Sequence, residues 1–188
     1  MENEKQAVHK KIKAADLAFI AMGAALIAVC TWISIPFTVP FTMQTFAVFF
    51  ILEFLGGKRG TISILIYIIL GAIGVPVFSG FMGGIGKLLG MTGGYILGFI
   101  FMGLLYWLAQ KLFGERLLVR ILSQLAGLLV CYAFGTAWFM VVYARESGPI
   151  GLWTALTMCV IPFILPDLAK MALAIFTANR MRRLMKQV

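Results

Sequence analysis

Long apolar runs constrain this chain more than any other feature. They stand at about 16–35, 44–56, 60–75, 93–113, 117–144 and 150–178. A membrane-spanning helix needs roughly 20 mostly apolar residues. The runs therefore predict an all-α integral membrane protein, a compact bundle of six transmembrane helices in one domain spanning residues 1–188. Composition agrees: 62% of residues are hydrophobic and 12% charged, with a mean hydropathy of +1.00. A soluble chain spends about 25% on charged types. The second and third runs are short, and the connections around them must be sheltered, because irregular backbone at membrane depth has to be buried in protein or line a cavity.

Sixteen basic residues face seven acidic ones, a net charge of +9. The charges lie between apolar runs instead of gathering on one exposed face, which argues against a nucleic-acid partner. Lys and Arg collect on the cytoplasmic side of spans. With the amino terminus inside, the basic segment 1–14 (Lys5, Lys10, Lys11, Lys13), Lys58, Arg59, Lys111, Arg116, Arg120 and the basic tail 180–188 (Arg180, Arg182, Arg183, Lys186) are all cytoplasmic. Only Lys87 and Arg145 fall outside, and Lys170 sits within the last run. Both termini are thus expected in the cytoplasm. The first run lacks a small-residue cleavage site and is expected to stay as a helix.

The outer connections, about 36–43 and 75–92, hold Pro36, Pro40, Pro76 and many glycines. Such residues favour folded turns over helix, so structured outer loops over the mouth of the bundle are expected.

Asp167 and Lys170 are ionisable groups inside a span, three residues apart and so on one helix face. Each costs a few kcal/mol in the membrane unless it has a partner or a role. One reading has them neutralise each other and fasten the last span; the other makes them a polar ligand anchor, an acceptor beside a three-donor ammonium. Pro162 and Pro166 loosen the helix ladder nearby. Gln44 adds an amide at the outer end of the second run, serving either a ligand or the helix end. Phe37, Phe41, Phe78, Phe81 and Tyr95 supply aromatic walls or, taken singly, interface packing. Ala14, Ala18, Ala21, Ala25 and Ala28 line one face of the first run, which permits close helix approach within the chain or to another subunit. Gly90, Gly94 and Gly98 are expected to serve internal packing.

Common recipes for chemistry are missing. Cys30, Cys131 and Cys159 form no CxxC pair, and His9 is the one histidine, so neither a disulfide framework nor a metal site is indicated. No GxxxxGK[ST], HExxH or GxSxG run occurs, and no internal repeat of the transporter kind. The chain is expected to be no enzyme and to carry no nucleotide site or cofactor.

The stretch Ile35-Pro36-Phe37-Thr38-Val39-Pro40-Phe41-Thr42-Met43-Gln44-Thr45-Phe46-Ala47-Val48 resembles the signature of the BioY family around the first outer loop. The likeness continues through Leu55-Gly56-Gly57-Lys58-Arg59-Gly60, Gly71-Ala72-Ile73-Gly74-Val75-Pro76-Val77-Phe78 and Thr92-Gly93-Gly94-Tyr95-Ile96-Leu97-Gly98-Phe99, and closes with Pro166-Asp167-Leu168-Ala169-Lys170. Where the family commonly reads Gly-Pro-Thr-Gly-Gly, this chain has Gly90-Met91-Thr92-Gly93-Gly94, without the proline that would stiffen the turn.

The resemblance implies a biotin-capturing S component of an energy-coupling factor transporter in a bacterial cell membrane. Its partners would be a transmembrane coupling subunit and two ABC-type ATPases, which would account for the missing nucleotide loop. It implies that Asp167 and Lys170 belong to a biotin site; Gln44, Phe41, Phe78 and Tyr95, read above as a polar contact and aromatic walls, are expected beside them. It also implies a partner-docking face at Ala21, Ala25 and Ala28, with Ala24 to Ala28 as an alternative register. Biotin offers ureido N–H donors and a valerate carboxylate, which suits an aspartate beside a lysine. The competing reading is a self-sufficient ion-coupled carrier for a small carboxylate-bearing vitamin; against it stand a single intramembrane carboxylate and the lack of repeats.

Overall fold

A computed structural model of the chain describes residues 14–36 and 39–185. Phe37, the amino-terminal segment with its lysines and His9, and Lys186 lie outside the described residues.

The described chain is mostly helical. In order it forms α1 (Ala14–Trp32), β1 (Ser34–Ile35), β2 (Phe41–Thr42), α2 (Gln44–Leu55), α3 (Gly57–Ala72), α4 (Ile85–Leu89), α5 (Gly93–Phe113), α6 (Leu117–Ser147), α7 (Leu152–Cys159) and α8 (Ile161–Met185). Four stretches are long and apolar enough to cross a membrane: α1, α5, α6 and the α7–α8 pair. The protein is a multi-pass membrane protein.

The short α2 is the centre of the bundle. At a rise of about 1.5 Å per residue it is only about 18 Å long, yet every residue from Ala47 to Glu53 is buried. It packs on α1, α3 and α8, so longer neighbours shelter a helix too short to face lipid. α3 follows after Gly56, whose φ of +81° suits glycine and permits the sharp reversal.

Small residues set the tightest approaches. A Cβ at Gly98 would come within 2.7 Å of Cys131 Sγ, and one at Gly103 within 2.8 Å of Thr61 Oγ1. Gly94 abuts Trp138 in the same way, so Gly94 and Gly98 bring α5 onto α6 as internal packing. Gly90 instead offers its carbonyl to Trp138 Nε1 at 3.0 Å.

The two ends of the bundle differ. One is basic: Arg59 pairs with Asp16 at 2.7 Å, and Gly57 N–H donates to Gln110 Oε1 at 2.7 Å. The other carries the folded connections. β1 and β2 form an antiparallel hairpin with Ser34 opposite Thr42 and Ile35 opposite Phe41. Phe78 and Met82 form an isolated bridge before α4, and Trp32 Nε1 ties α1 to this loop through Pro76 O at 2.9 Å. The 90–94 turn closes through Gly93 N–H to Gly90 O at 3.0 Å, with Met91 and no proline in it.

Two expectations need correction here. The last run is not one helix, since Val160, with φ −125° and ψ −57°, breaks it into α7 and α8. Proline is tolerated in the first turn of a helix, where its missing N–H has no intrahelical partner to lose, and Pro162 stands second in α8. The alanine face is also not uniform. Ala21 and Ala25 are exposed, whereas Ala28 is 6% exposed and belongs to the core with Ala24. At about 100° per residue Ala28 is turned about 20° from Ala21 towards Ala24, and this rotation puts it at the edge of the buried side.

Candidate functional site

The first turn of α2, the middle of α6 and the first half of α8 meet beneath the hairpin. Asp167 follows Pro166, the proline inside α8, which cannot donate to the carbonyl four residues back. Asp167 and Lys170 are 2% and 7% exposed, and Lys170 Nζ lies 3.0 Å from Asp167 Oδ1. Burial this deep requires complete pairing of both charges, and the surroundings supply it.

Asp167 Oδ1 also accepts from Thr45 Oγ1 at 2.8 Å, and Oδ2 accepts from Tyr132 OH at 2.7 Å. Lys170 Nζ donates to Thr42 O at 2.7 Å and to Thr45 Oγ1 at 3.2 Å. The Thr45 hydroxyl thus stands between the two charges, donating to one and accepting from the other. The ammonium lies 4.1 Å from the centroid of the Phe41 ring, a distance at which the ring face attracts a cation. Phe41 in turn stacks on Phe163.

These groups line one cavity. Its polar wall includes Gln44, Thr45, Tyr132, Asp167 and Lys170; Ile96, Phe99, Leu128 and Phe163 give it apolar sides, and Ser79 and Thr92 come from the connections before and after α4. Gln44 Nε2 donates to Tyr67 OH at 2.8 Å, which fixes the amide and turns a second layer of hydrogen bonds towards Thr31 and Val77. Tyr95 also lines the cavity, with its hydroxyl 3.0 Å from Thr136 Oγ1. Apolar walls with a few placed polar groups are the usual composition of a small-molecule site.

Of the residues expected from sequence, Asp167, Lys170, Gln44 and Tyr95 line this cavity, and Phe41 stacks over the lysine. Phe78 does not line it. The bridge to Met82 turns Phe78 inward, where it is fully buried, covers Gly71 and meets Tyr67 edge-on at 5.6 Å. Phe81 is exposed and stacks on Trp32. Thr45 and Tyr132 went unnoticed from sequence. Thr45 sat inside the recognised stretch, one residue beyond Gln44; Tyr132 carried no local signal, since its role depends on α6 meeting α8.

A second buried carboxylate was also missed. Glu53 is fully buried at the basic end of α2, and accepts from Arg120 at 2.8 Å and Gln124 at 2.8 Å. Asp167 is therefore not the single carboxylate within the runs, although Glu53 is neutralised by a guanidinium. Outside the spans, partial burial of Lys87 on α4 holds its ammonium below the ordinary lysine pKa, because desolvation disfavours the charged form. No cluster of three or more His, Cys, Asp or Glu that would hold a metal occurs among the described residues, and the three cysteines are free and buried.

A family model described as "BioY family" matches residues 3–187. The chain belongs to the BioY family. A probable biotin transporter BioY from Pyrococcus horikoshii is 42% identical over 172 residues, covering 91% of this chain and 98% of that protein. The biotin transporter BioY of Thermotoga maritima is 40% identical, with 85% and 91% covered, and BioY2 of Lactococcus lactis is 34% identical, with 82% and 83% covered. Among solved structures, a crystal structure of the S-component for biotin from an ECF-type ABC transporter aligns with a TM-score of 0.79 at 27% identity, covering 94% of this chain and 95% of that one. The BioY architecture described above is thus the S-component fold.

Proposed function

We propose that this chain captures biotin and serves as the substrate-specificity subunit of an energy-coupling factor transporter, with no catalysis or cofactor of its own. The observation that carries the reading is the buried Asp167–Lys170 pair lining a cavity of apolar walls and few polar groups, in a family whose relatives are biotin transporters.

The pair suits one end of biotin in particular. Asp167 and Lys170 are 3.0 Å apart, so both address the same part of a ligand. A ureido ring presents an N–H donor next to a carbonyl acceptor; the N–H goes to Asp167 and the carbonyl accepts from Lys170. The valerate carboxylate at that position would meet the like charge of Asp167. It belongs instead towards the outer segments, where Ser79 and Thr92 offer hydroxyls.

Six crossings follow if α1, α2, α3, α5 and α6 each cross once and α7 with α8 makes one broken span. Both termini are then cytoplasmic, and the basic end faces the cytoplasm of a bacterial cell. The partners in this reading are a transmembrane coupling subunit, docked on the exposed face at Ala21 and Ala25, and two ATPases that supply the energy.

The test is uptake of labelled biotin in cells lacking their own coupling module. Uptake that requires co-expressed coupling subunit and ATPases supports the reading. Uptake by this chain alone that collapses with an uncoupler would overturn it in favour of an ion-coupled carrier.

A further inference from the structure

A second cleft, of about 720 Å³, opens at the basic end of the bundle. It shares no lining residue with the Asp167–Lys170 cavity. Three guanidiniums line it, from Arg120 in the first turn of α6 and from Arg182 and Arg183 in the last turn of α8, together with the amide of Asn179.

Two carboxylates face these cations, Glu53 from behind and Glu115 on the wall, so the cleft keeps a surplus of positive charge. Arg120 Nη1 donates to Glu53 at 2.8 Å and to Asn179 Oδ1 at 3.3 Å, but its buried Nε has no partner among the described residues. Arg182 is held by the backbone carbonyls of Glu53 and Phe54. Arg183 is exposed and makes no ion pair among the described residues.

Two further features fit an anion with an apolar tail. The first turn of α6 has no side-chain cap, and its Leu117 lines the cleft, so unpaired helix-end amides add a partial positive charge there. Leu117 in the wall, and Leu118 and Leu184, which follow the lining residues Leu117 and Arg183 in sequence, are half exposed or more. A phosphate answers the guanidiniums by charge-assisted hydrogen bonds, while acyl chains cover the leucines.

We infer that this cleft holds the phosphate headgroup of an anionic phospholipid from the leaflet at the basic end of the bundle. Basic pockets between helices at a membrane surface recognise such headgroups, and each Lys or Arg near the surface is worth about fivefold in affinity. Free phosphate uses the cations alone and leaves the leucines uncovered.

The experiment uses the full chain in a neutral detergent, with binding read by native mass spectrometry and by thermal unfolding. Phosphatidylglycerol, phosphatidylcholine with the same acyl chains, and inorganic phosphate are titrated in parallel. The expected result is retained phosphatidylglycerol and a raised Tm, with neither phosphatidylcholine nor phosphate giving a comparable effect. Arg183→Gln should weaken phosphatidylglycerol binding about fivefold and leave the lipid-free Tm unchanged. Equal binding of the two lipids, equal stabilisation by phosphate, or an unaltered affinity in Arg183→Gln would each overturn the inference.

Discussion

Replacing Asp167 by asparagine keeps the side-chain shape and removes one charge. In the parent, the carboxylate accepts from Thr45, Lys170 and Tyr132. The amide cannot serve all three, because one of its two positions becomes a donor, and Lys170 is left as a buried cation with only neutral acceptors. Truncating one half of a desolvated charge pair, or removing a hydrogen bond to a charged group, costs about 2 to 4 kcal/mol, or about thirty- to a thousandfold in biotin affinity. Thr45→Val and Tyr132→Phe each remove a hydroxyl donor from the same carboxylate but leave its charge and its contact with biotin in place, so each should cost less in biotin affinity, about 1 kcal/mol or about fivefold. Calorimetric titration in detergent measures all three, and thermal unfolding of the same preparations separates loss of binding from loss of fold. Asp167→Asn binding within about threefold of the parent, or no more weakly than Tyr132→Phe, would show that the pair only fastens α8 to α2.

Ala25→Trp should leave biotin affinity unchanged and abolish co-purification with a coupling subunit, since bulk on an exposed small-residue face blocks close helix approach. Glu53→Gln should lower thermal stability by about 3 kcal/mol, because Arg120 loses its buried partner, and leave biotin affinity intact, as the two sites share no residue. Gly98→Leu should destabilise by about 3 kcal/mol or abolish folding, read as loss of the monodisperse peak in detergent, because its Cβ alone would approach Cys131 Sγ to 2.7 Å.

The parts of the fold legible in sequence were those set by the solvent. Long apolar runs demand helices wherever the bilayer is the solvent, so α1, α5 and α6 fall close to their expected limits. The break at Val160 is not legible in the sequence, because Pro162 and Pro166 both loosen a helix ladder, and only packing shows that the first starts α8 while the second lies inside it. Asp167 and Lys170 stood out because a charge in an apolar run is costly. Tyr132 did not, because a tyrosine in a membrane helix is ordinary until its hydroxyl is found 2.7 Å from a carboxylate. Phe78 misled for the opposite reason: an aromatic in an outer loop was expected at the mouth, and the bridge to Met82 turned it into the core.

The central claim, that the Asp167–Lys170 cavity is a biotin site, is tested most directly by titrating the purified, ligand-stripped protein with biotin in a calorimeter. The account predicts a saturable one-to-one isotherm that is absent with an unrelated vitamin and is weakened in Asp167→Asn. No saturable heat with biotin across a range of temperatures, from protein that is folded and monodisperse, would contradict it.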